Sequence, residues 1–213
     1  HECFTGYLDE RDAEYYKSRT RPIQERDLDI VYRASRLPYW FGSQGQLKHR
    51  IAPLIAERAV ANGLRVDISV RDEDTIVGNQ WLNFLASGKC IIGCESGSSV
   101  IDRRGEIRAK IMHLLKNDPL LSFEEISARM PEGWDHYQLV ALSPRHFEAI
   151  ITKTCQILVE GTYNDVLVAD KHYLALKRDF SNLDEVLDKV KDHRLLEKIA
   201  ECAYQDIYLN GSY

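Results

Sequence analysis

The sequence predicts an α/β fold, a Rossmann-like doubly wound parallel sheet. Two observations carry that prediction. Apolar runs of strand length alternate with segments of helical periodicity from Leu28 onward, an order that lays parallel strands side by side under covering helices. The 213 residues, 44% hydrophobic and 29% charged, are enough for one substantial core, and no internal repeat or low-complexity stretch divides them.

The elements follow in order. His1–Arg26 is polar, carries Tyr15-Tyr16 and reads as a lead-in helix or interdomain connector, so residues 1–27 are set apart. Leu28–Tyr32 is the first apolar strand, and Leu37–Gly42 is a loop with aromatic bulk. A helix is expected over Gln46–Ala61, with Ile51, Leu54, Ile55 and Ala59 on one face; Asn62-Gly63 ends it, because glycine takes the left-handed cap conformation readily. Arg65–Val70 alternates as a strand, Trp81–Ala86 is a short helix and Lys89–Cys94 a buried strand. Glu106–Asn117 is helical along Ile107, Ile111, Leu114 and Leu115. Ser122–Met130 is a short helix capped by Ser122, with Glu124 and Glu125 favouring its N-terminus. Tyr137–Gly161 reads as buried strand, short helix, buried strand; His172 opens a last strand ending at Leu176. Charged helices over Asn182–Lys191 and Arg194–Leu209 finish the chain. The core domain is placed at residues 28–192, with residues 193–213 a C-terminal helix.

Composition excludes several classes. A net charge of −5 argues against a protein built on nucleic-acid backbone. No apolar run is long enough to cross a bilayer, and no signal-peptide pattern opens the sequence. It begins with His1 rather than Met, so a fragment or processed chain is expected. Cys3, Cys90, Cys94, Cys155 and Cys202 lack metal-type pairing. They are expected as buried free thiols in a reducing, cytoplasmic compartment.

In a doubly wound sheet, ligands sit beyond the carboxyl ends of the strands. The most informative segment there is Ser143-Pro144-Arg145. Ser143 is a good N-cap, and Pro144 suits the first helical position, where a missing N–H costs nothing. Free amides, the helix dipole and the Arg145 guanidinium together suit a phosphate. Glu148, in His146-Phe147-Glu148-Ala149, is placed to hold a ribose diol. Phosphate plus diol means nucleotide. The same pattern is also an ordinary helix start, with Arg145 a solvated charge.

Three further segments meet the same condition. Arg33 and Arg36 follow the first strand, and Lys48 opens the next helix; converging cations suit a diphosphate. The competing reading, which the functional one outweighs, is that Arg33 pairs with a core-edge carboxylate and Lys48 is a solvated helix residue. Gly93–Ser99 is Gly- and Ser-rich, which lets amides approach a ligand or simply closes a tight turn. It has neither the P-loop nor the dinucleotide spacing. Glu160 walls the pocket or is a surface acid. His172 is expected to pack structurally, Asp67 to cap or end a strand, and Trp134 and His136 to lie in a loop. Asp72 and Asp74 form an Asp-x-Asp in a charged loop, so no metal is required.

SPRHFEA, then TCQILVEG-x-Y and HYLALKRDFSN, preceded in order by IVYRASRLPYWFG, QLKHRIAPL, VDISV, WLNFL and GCESGSSVIDRRGEI, resembles the C-terminal donor-binding half of GT-B-fold glycosyltransferases. The likeness is to bacterial glycosyltransferase family 1-type proteins allied to the retaining group-1 transferases, and it runs from Asp29 to Leu209. It implies a hexosyltransferase-like enzyme of carbohydrate biosynthesis. The enzyme would bind a nucleoside-diphosphate sugar as substrate, with no cofactor, beside an N-terminal acceptor domain absent from this sequence. Arg33 and Lys48 then carry over as the catalytic cations on the leaving diphosphate, with Arg36 a possible substitute for Arg33. Glu148 becomes the ribose-binding glutamate, and Glu95 and Ser96 lie near the donor pocket. Ser143, Arg145, His146 and Glu160 complete the expected substrate site. The pattern departs at Val140, where related enzymes carry a second glutamate with seven residues between it and the ribose ligand, and at Lys153, where a small residue, often Gly, is usual. A non-catalytic nucleotide-binding or interaction module with this fold is the alternative. An NAD or phosphometabolite enzyme is disfavoured by the missing glycine fingerprint.

Overall fold

The computed structural model describes residues 10–211. Its strands are β1 (Leu28–Arg33), β2 (Val66–Ser69), β3 (Gly88–Gly93), β4 (Ser96–Ser98), β5 (Leu139–Ala141), β6 (Cys155–Val159) and β7 (Leu174–Leu176). Five of them form one sheet in the order β2-β1-β3-β6-β7, and every neighbouring pair is parallel. The Rossmann-like α/β architecture expected from the alternation is therefore present. The chain steps from β1 outward to β2, then crosses to the other side of β1 for β3. Loops after β1 and β3 diverge at that switch, which opens a crevice at the carboxyl edge.

The covering helices are α1 (Glu10–Lys17), α2 (Gly42–Ala61), α3 (Asn79–Ser87), α4 (Glu106–Asn117), α5 (Phe123–Ser127), α6 (Pro144–Ile151), α7 (Leu183–Val190) and α8 (His193–Ala203), which runs on as a π-helical turn to Leu209. α1, α3 and α6 touch one another in one group, while α7 touches α2 and α8 in another. Helices flank the sheet, so β3 and β6 are buried along their whole length and read as continuous apolar runs rather than alternating ones. α1 belongs to this core: Ala13 and Tyr16 are buried in the same cluster as Ile30, Ile91 and Ile157.

One strand expectation is corrected. Leu139–Ala141 is not a buried strand of the parallel sheet; it pairs antiparallel with Ser96–Ser98 in a separate ribbon, where Leu139 is 48% exposed. The helix at Ser143 therefore does not spring from a core strand. Residues 99–138 lie between the two ribbon strands and build their own small core from Val100, Ile111, Leu121, Ile126 and Trp134. That insertion caps α2: Asp135 accepts the Ser43 N–H at 3.1 and 3.0 Å, and Ser99 Oγ accepts the Gln44 N–H at 3.0 Å. Gly42 (φ 72°) opens α2 four residues earlier than expected, and any side chain there would strike Asp135, Ser99 and Val100.

Smaller features follow the sequence. Gly63 ends α2 at φ 77°, and Ser122 with Glu125 forms a full capping box. His172 lies in the turn before β7 rather than in it. Cys90, Cys94 and Cys155 are buried free thiols, Cys202 is half-buried, and Cys3 lies outside the described residues. At the opposite edge of the sheet, Arg26 is 1% exposed and donates to the carbonyls of Arg21, Gly88, Thr152 and Lys153 and to Thr154 Oγ1. Beside it, Lys89 Nζ meets Asp29 Oδ1 at 2.6 Å in a buried pair. No helix among the described residues is long and apolar enough to cross a membrane.

Candidate functional site

A cleft of about 490 Å³ opens at the carboxyl edge of the sheet, lined by Arg33, Arg71, Asp74, Trp81, Arg145 and Glu148 among others. Its walls are the loop after β1, residues 71–79, the start of α3 and one face of α6. Sequence folds α6 into place simply. Ser143 Oγ accepts the Arg145 N–H at 3.2 Å as N-cap, and Pro144 occupies the first helical position. His146, Phe147, Ala149, Ile150 and Ile151 are buried, which turns Arg145 and Glu148 outward to the cleft.

Arg145 lies over aromatic surface, its Cζ 4.9 Å from the Trp81 ring centroid and 5.6 Å from that of Tyr32. Close behind, Lys48 Nζ donates to Ser96 Oγ at 2.7 Å. Burial lowers the Lys48 pKa, and Arg145 pushes the same way, so the two cations feel each other. Among the described residues neither Arg145 nor Lys48 has a carboxylate within ion-pair distance. Glu148 Oε2 accepts the Trp81 indole N–H at 2.7 Å, which fixes the carboxylate at the cleft wall. Arg145 and the oriented Glu148 carboxylate therefore meet at the Trp81 ring, while Lys48, held on Ser96, lies half-buried behind them and outside the cleft lining.

The remaining predicted residues are placed differently. Arg33 lines the cleft but is tied down: it pairs with Asp67 at 2.7 Å, donates to the carbonyls of Tyr32, Asp67 and Asp74, and lies 4.5 Å over the Phe84 ring. Asp67 is thus an ion-pair partner within β2, not a cap. Arg36 lies outside the cleft lining and donates to the Tyr39 hydroxyl at 2.5 Å. Glu95 is 3% exposed and turned under the loop after β6, accepting from Thr162 Oγ1 at 2.9 Å and the Tyr163 N–H at 2.7 Å. Gly161 sits where a side chain would strike that carboxylate. Glu160 is exposed at the end of β6, outside the cleft lining. His146 lies beneath the cleft, 1% exposed, with Nδ1 3.0 Å from Gln156 Oε1 and its ring edge-on to Tyr163. Burial drives its pKa down to about 4, against the opposing hydrogen bond with Gln156.

The residue that sequence reading passed over is Trp81. Its helix was legible, but an aromatic at a helix start reads as core until the neighbouring loop is placed. Lys153, where the resembled pattern has a small residue, adopts φ 47°, a left-handed conformation that glycine takes freely. Its ammonium compensates by pairing with Glu201 at 2.7 Å. Trp134 packs in the insertion and donates to Ser127 Oγ, and His136 lies against Tyr137.

Metal-type residues meet at His172, Cys202 and Asp206. His172 Nδ1 accepts the Val168 N–H at 3.1 Å, so Nε2 carries the proton and donates to Asp206, which also holds Lys171 at 2.6 Å. That protonated nitrogen does not fit a metal ligand.

What fold and cleft define is an α/β domain of Rossmann-like class with a cleft at the carboxyl edge of its sheet, lined by Arg33, Arg71 and Arg145 together with Asp12, Asp74 and Glu148. No protein-family profile and no curated protein matches the chain. Among solved structures, TarM, a glycosyltransferase, aligns with 88% of this chain at 14% identity and a TM-score of 0.39. The chain spans about a third of TarM, 33% of its length, and at that score the likeness bears on neither substrate nor mechanism.

Proposed function

We propose that the cleft binds a nucleoside diphosphate, as the donor half of a glycosyltransferase acting on a nucleotide sugar. The observation that carries this reading is Arg145: a guanidinium without a carboxylate partner among the described residues, braced on Trp81 and Tyr32 at the start of α6, with Lys48 behind it and Glu148 one turn on. Arg145 and Lys48 take the diphosphate, Arg giving paired donors and Lys a point charge. Glu148 accepts from the ribose diol. As the sugar–phosphate bond breaks, charge grows on the leaving diphosphate, and cations already in place stabilise it without a proton transfer from this chain. Acceptor and any general base come from elsewhere, so the isolated chain binds but turns over slowly or not at all. Retention at the anomeric carbon rests on the resemblance alone.

The internal pairing of Arg33 favours a second reading, a binding module without catalysis, because one of the two expected catalytic cations is already satisfied. Calorimetric titration with UDP, GDP and ADP tests the binding claim. One diphosphate bound at unit stoichiometry, weakened by Arg145→Ala, is the expected result. Silence with all of them overturns it, and turnover by the isolated chain at an ordinary enzyme's rate overturns the half-site claim.

A further inference from the structure

We propose that the outer face of α4 docks this chain onto an anionic lipid surface. The helix turns Ile107, Ile111, Leu114 and Leu115 toward the small core of the insertion. Its other side faces solvent. Arg108, Met112 and Lys116 fall four residues apart, so they form one stripe along that outer face. Arg104 precedes the stripe in the turn before the helix, and Leu120 follows it in the turn after. Met112 is 51% exposed and Leu120 is 93% exposed, the latter the most exposed large apolar side chain among those described. None of Arg104, Arg108 or Lys116 pairs with a carboxylate among the described residues, and Arg108 instead lies 5.0 Å over the Trp40 ring.

Charge complementarity selects the occupant. The whole chain carries −5, yet this face is cationic. Glu106 is exposed in the first turn of the helix, and Asp102 and Asp118 accept the Arg108 and Leu120 N–H groups, yet Arg103, Arg104, Arg108, Lys110 and Lys116 outnumber these acids. Cations interleaved with protruding Met and Leu match a lipid headgroup layer, where ammonium and guanidinium meet phosphate and the apolar tips enter the acyl boundary. An acidic protein would use the cations but leave Leu120 in water, and a nucleic acid would gain nothing from either apolar tip.

Sedimentation of the chain with vesicles of phosphatidylglycerol and phosphatidylcholine, against phosphatidylcholine alone, tests this. Binding to the anionic vesicles only, released by salt, is expected. Arg108→Glu and Lys116→Glu should each weaken it about fivefold or more, and Leu120→Ser, which removes the apolar tip without altering the charge of the face, should weaken it too. All three positions are exposed, so melting temperatures should match the parent. Equal binding to both vesicle types, no binding to either, or binding indifferent to salt and to the charge reversals overturns the proposal.

Discussion

The indole N–H of Trp81 donates to Glu148 Oε2 across 2.7 Å, tying α3 to α6 over the mouth of the cleft. The same ring lies 4.9 Å from the Arg145 guanidinium carbon, so one side chain orients both the anion-binding and the diol-binding group. Trp81→Phe keeps the ring and removes the donor. It is expected to weaken nucleoside-diphosphate binding about three- to tenfold, one hydrogen bond's worth of orientation, with calorimetry as the check. In the parent, tryptophan fluorescence should change on titration, because Trp81 lines the cleft.

Arg145 and Arg33 separate recognition from stability. Arg145 leans on the Trp81 and Tyr32 rings and interacts with the Tyr32 hydroxyl but holds no carboxylate among the described residues, so Arg145→Ala should move the urea midpoint little while cutting diphosphate affinity tenfold or more, about 1.5–3 kcal/mol for a charged hydrogen bond. Arg33 holds Asp67 and three backbone carbonyls with a side chain only 15% exposed. Arg33→Ala should therefore destabilise by about 1–3 kcal/mol through those abandoned acceptors. The reverse ranking would mean that the two arginines exchange roles.

At the far edge of the sheet, Arg26 is a buried cation satisfied by four carbonyls and a hydroxyl rather than by an acid. Burial lowers its pKa to about 10, still well above neutrality. Arg26→Met fills similar space but orphans those acceptors, and a loss of about 3 kcal/mol or more in urea unfolding is expected.

His146 sets a pH dependence. Its folded pKa is depressed, by burial first, to about 4, against 6.5 when unfolded. The unfolded chain therefore binds a proton that the folded chain refuses. Stability is full above pH 6.5 and falls as pH drops from 6.5 toward 4, by about 3 kcal/mol over the window. His146→Gln should flatten that slope in thermal melts taken across it. An unchanged slope would show that the imidazole is not the group responsible.

Legibility in the sequence divided along physical lines. The apolar run Cys90–Cys94 reads as a strand covered on both faces, and β3 is buried along its whole length. Local chemistry was equally plain at Ser122, Ser143 and Gly63, where cap and dihedral depend on a few neighbours. The strand at Leu139–Ala141 misled because three apolar residues suit an exposed ribbon as well as a core strand, and the choice was made by Ser96–Ser98, far away in sequence. Within the site, Arg145 and Glu148 were readable from their helix. The partners that decide what each group is free to do were not: Asp67 for Arg33, Trp81 for Glu148, and the loop after β6 for Glu95. Those pairings join strands and helices brought together only by the parallel sheet.

The central claim is that α6 presents one group to phosphate and another to ribose. Measuring the affinity of the best-bound nucleoside diphosphate and of inorganic pyrophosphate, for the parent and for Glu148→Ala, tests it most directly. The nucleotide should weaken tenfold or more in the variant while pyrophosphate stays within a factor of two or so, since the substitution removes the diol contact and the Trp81 hydrogen bond but leaves the Arg145 guanidinium over its rings. Equal weakening of both ligands, or of neither, would contradict the division of labour between Arg145 and Glu148.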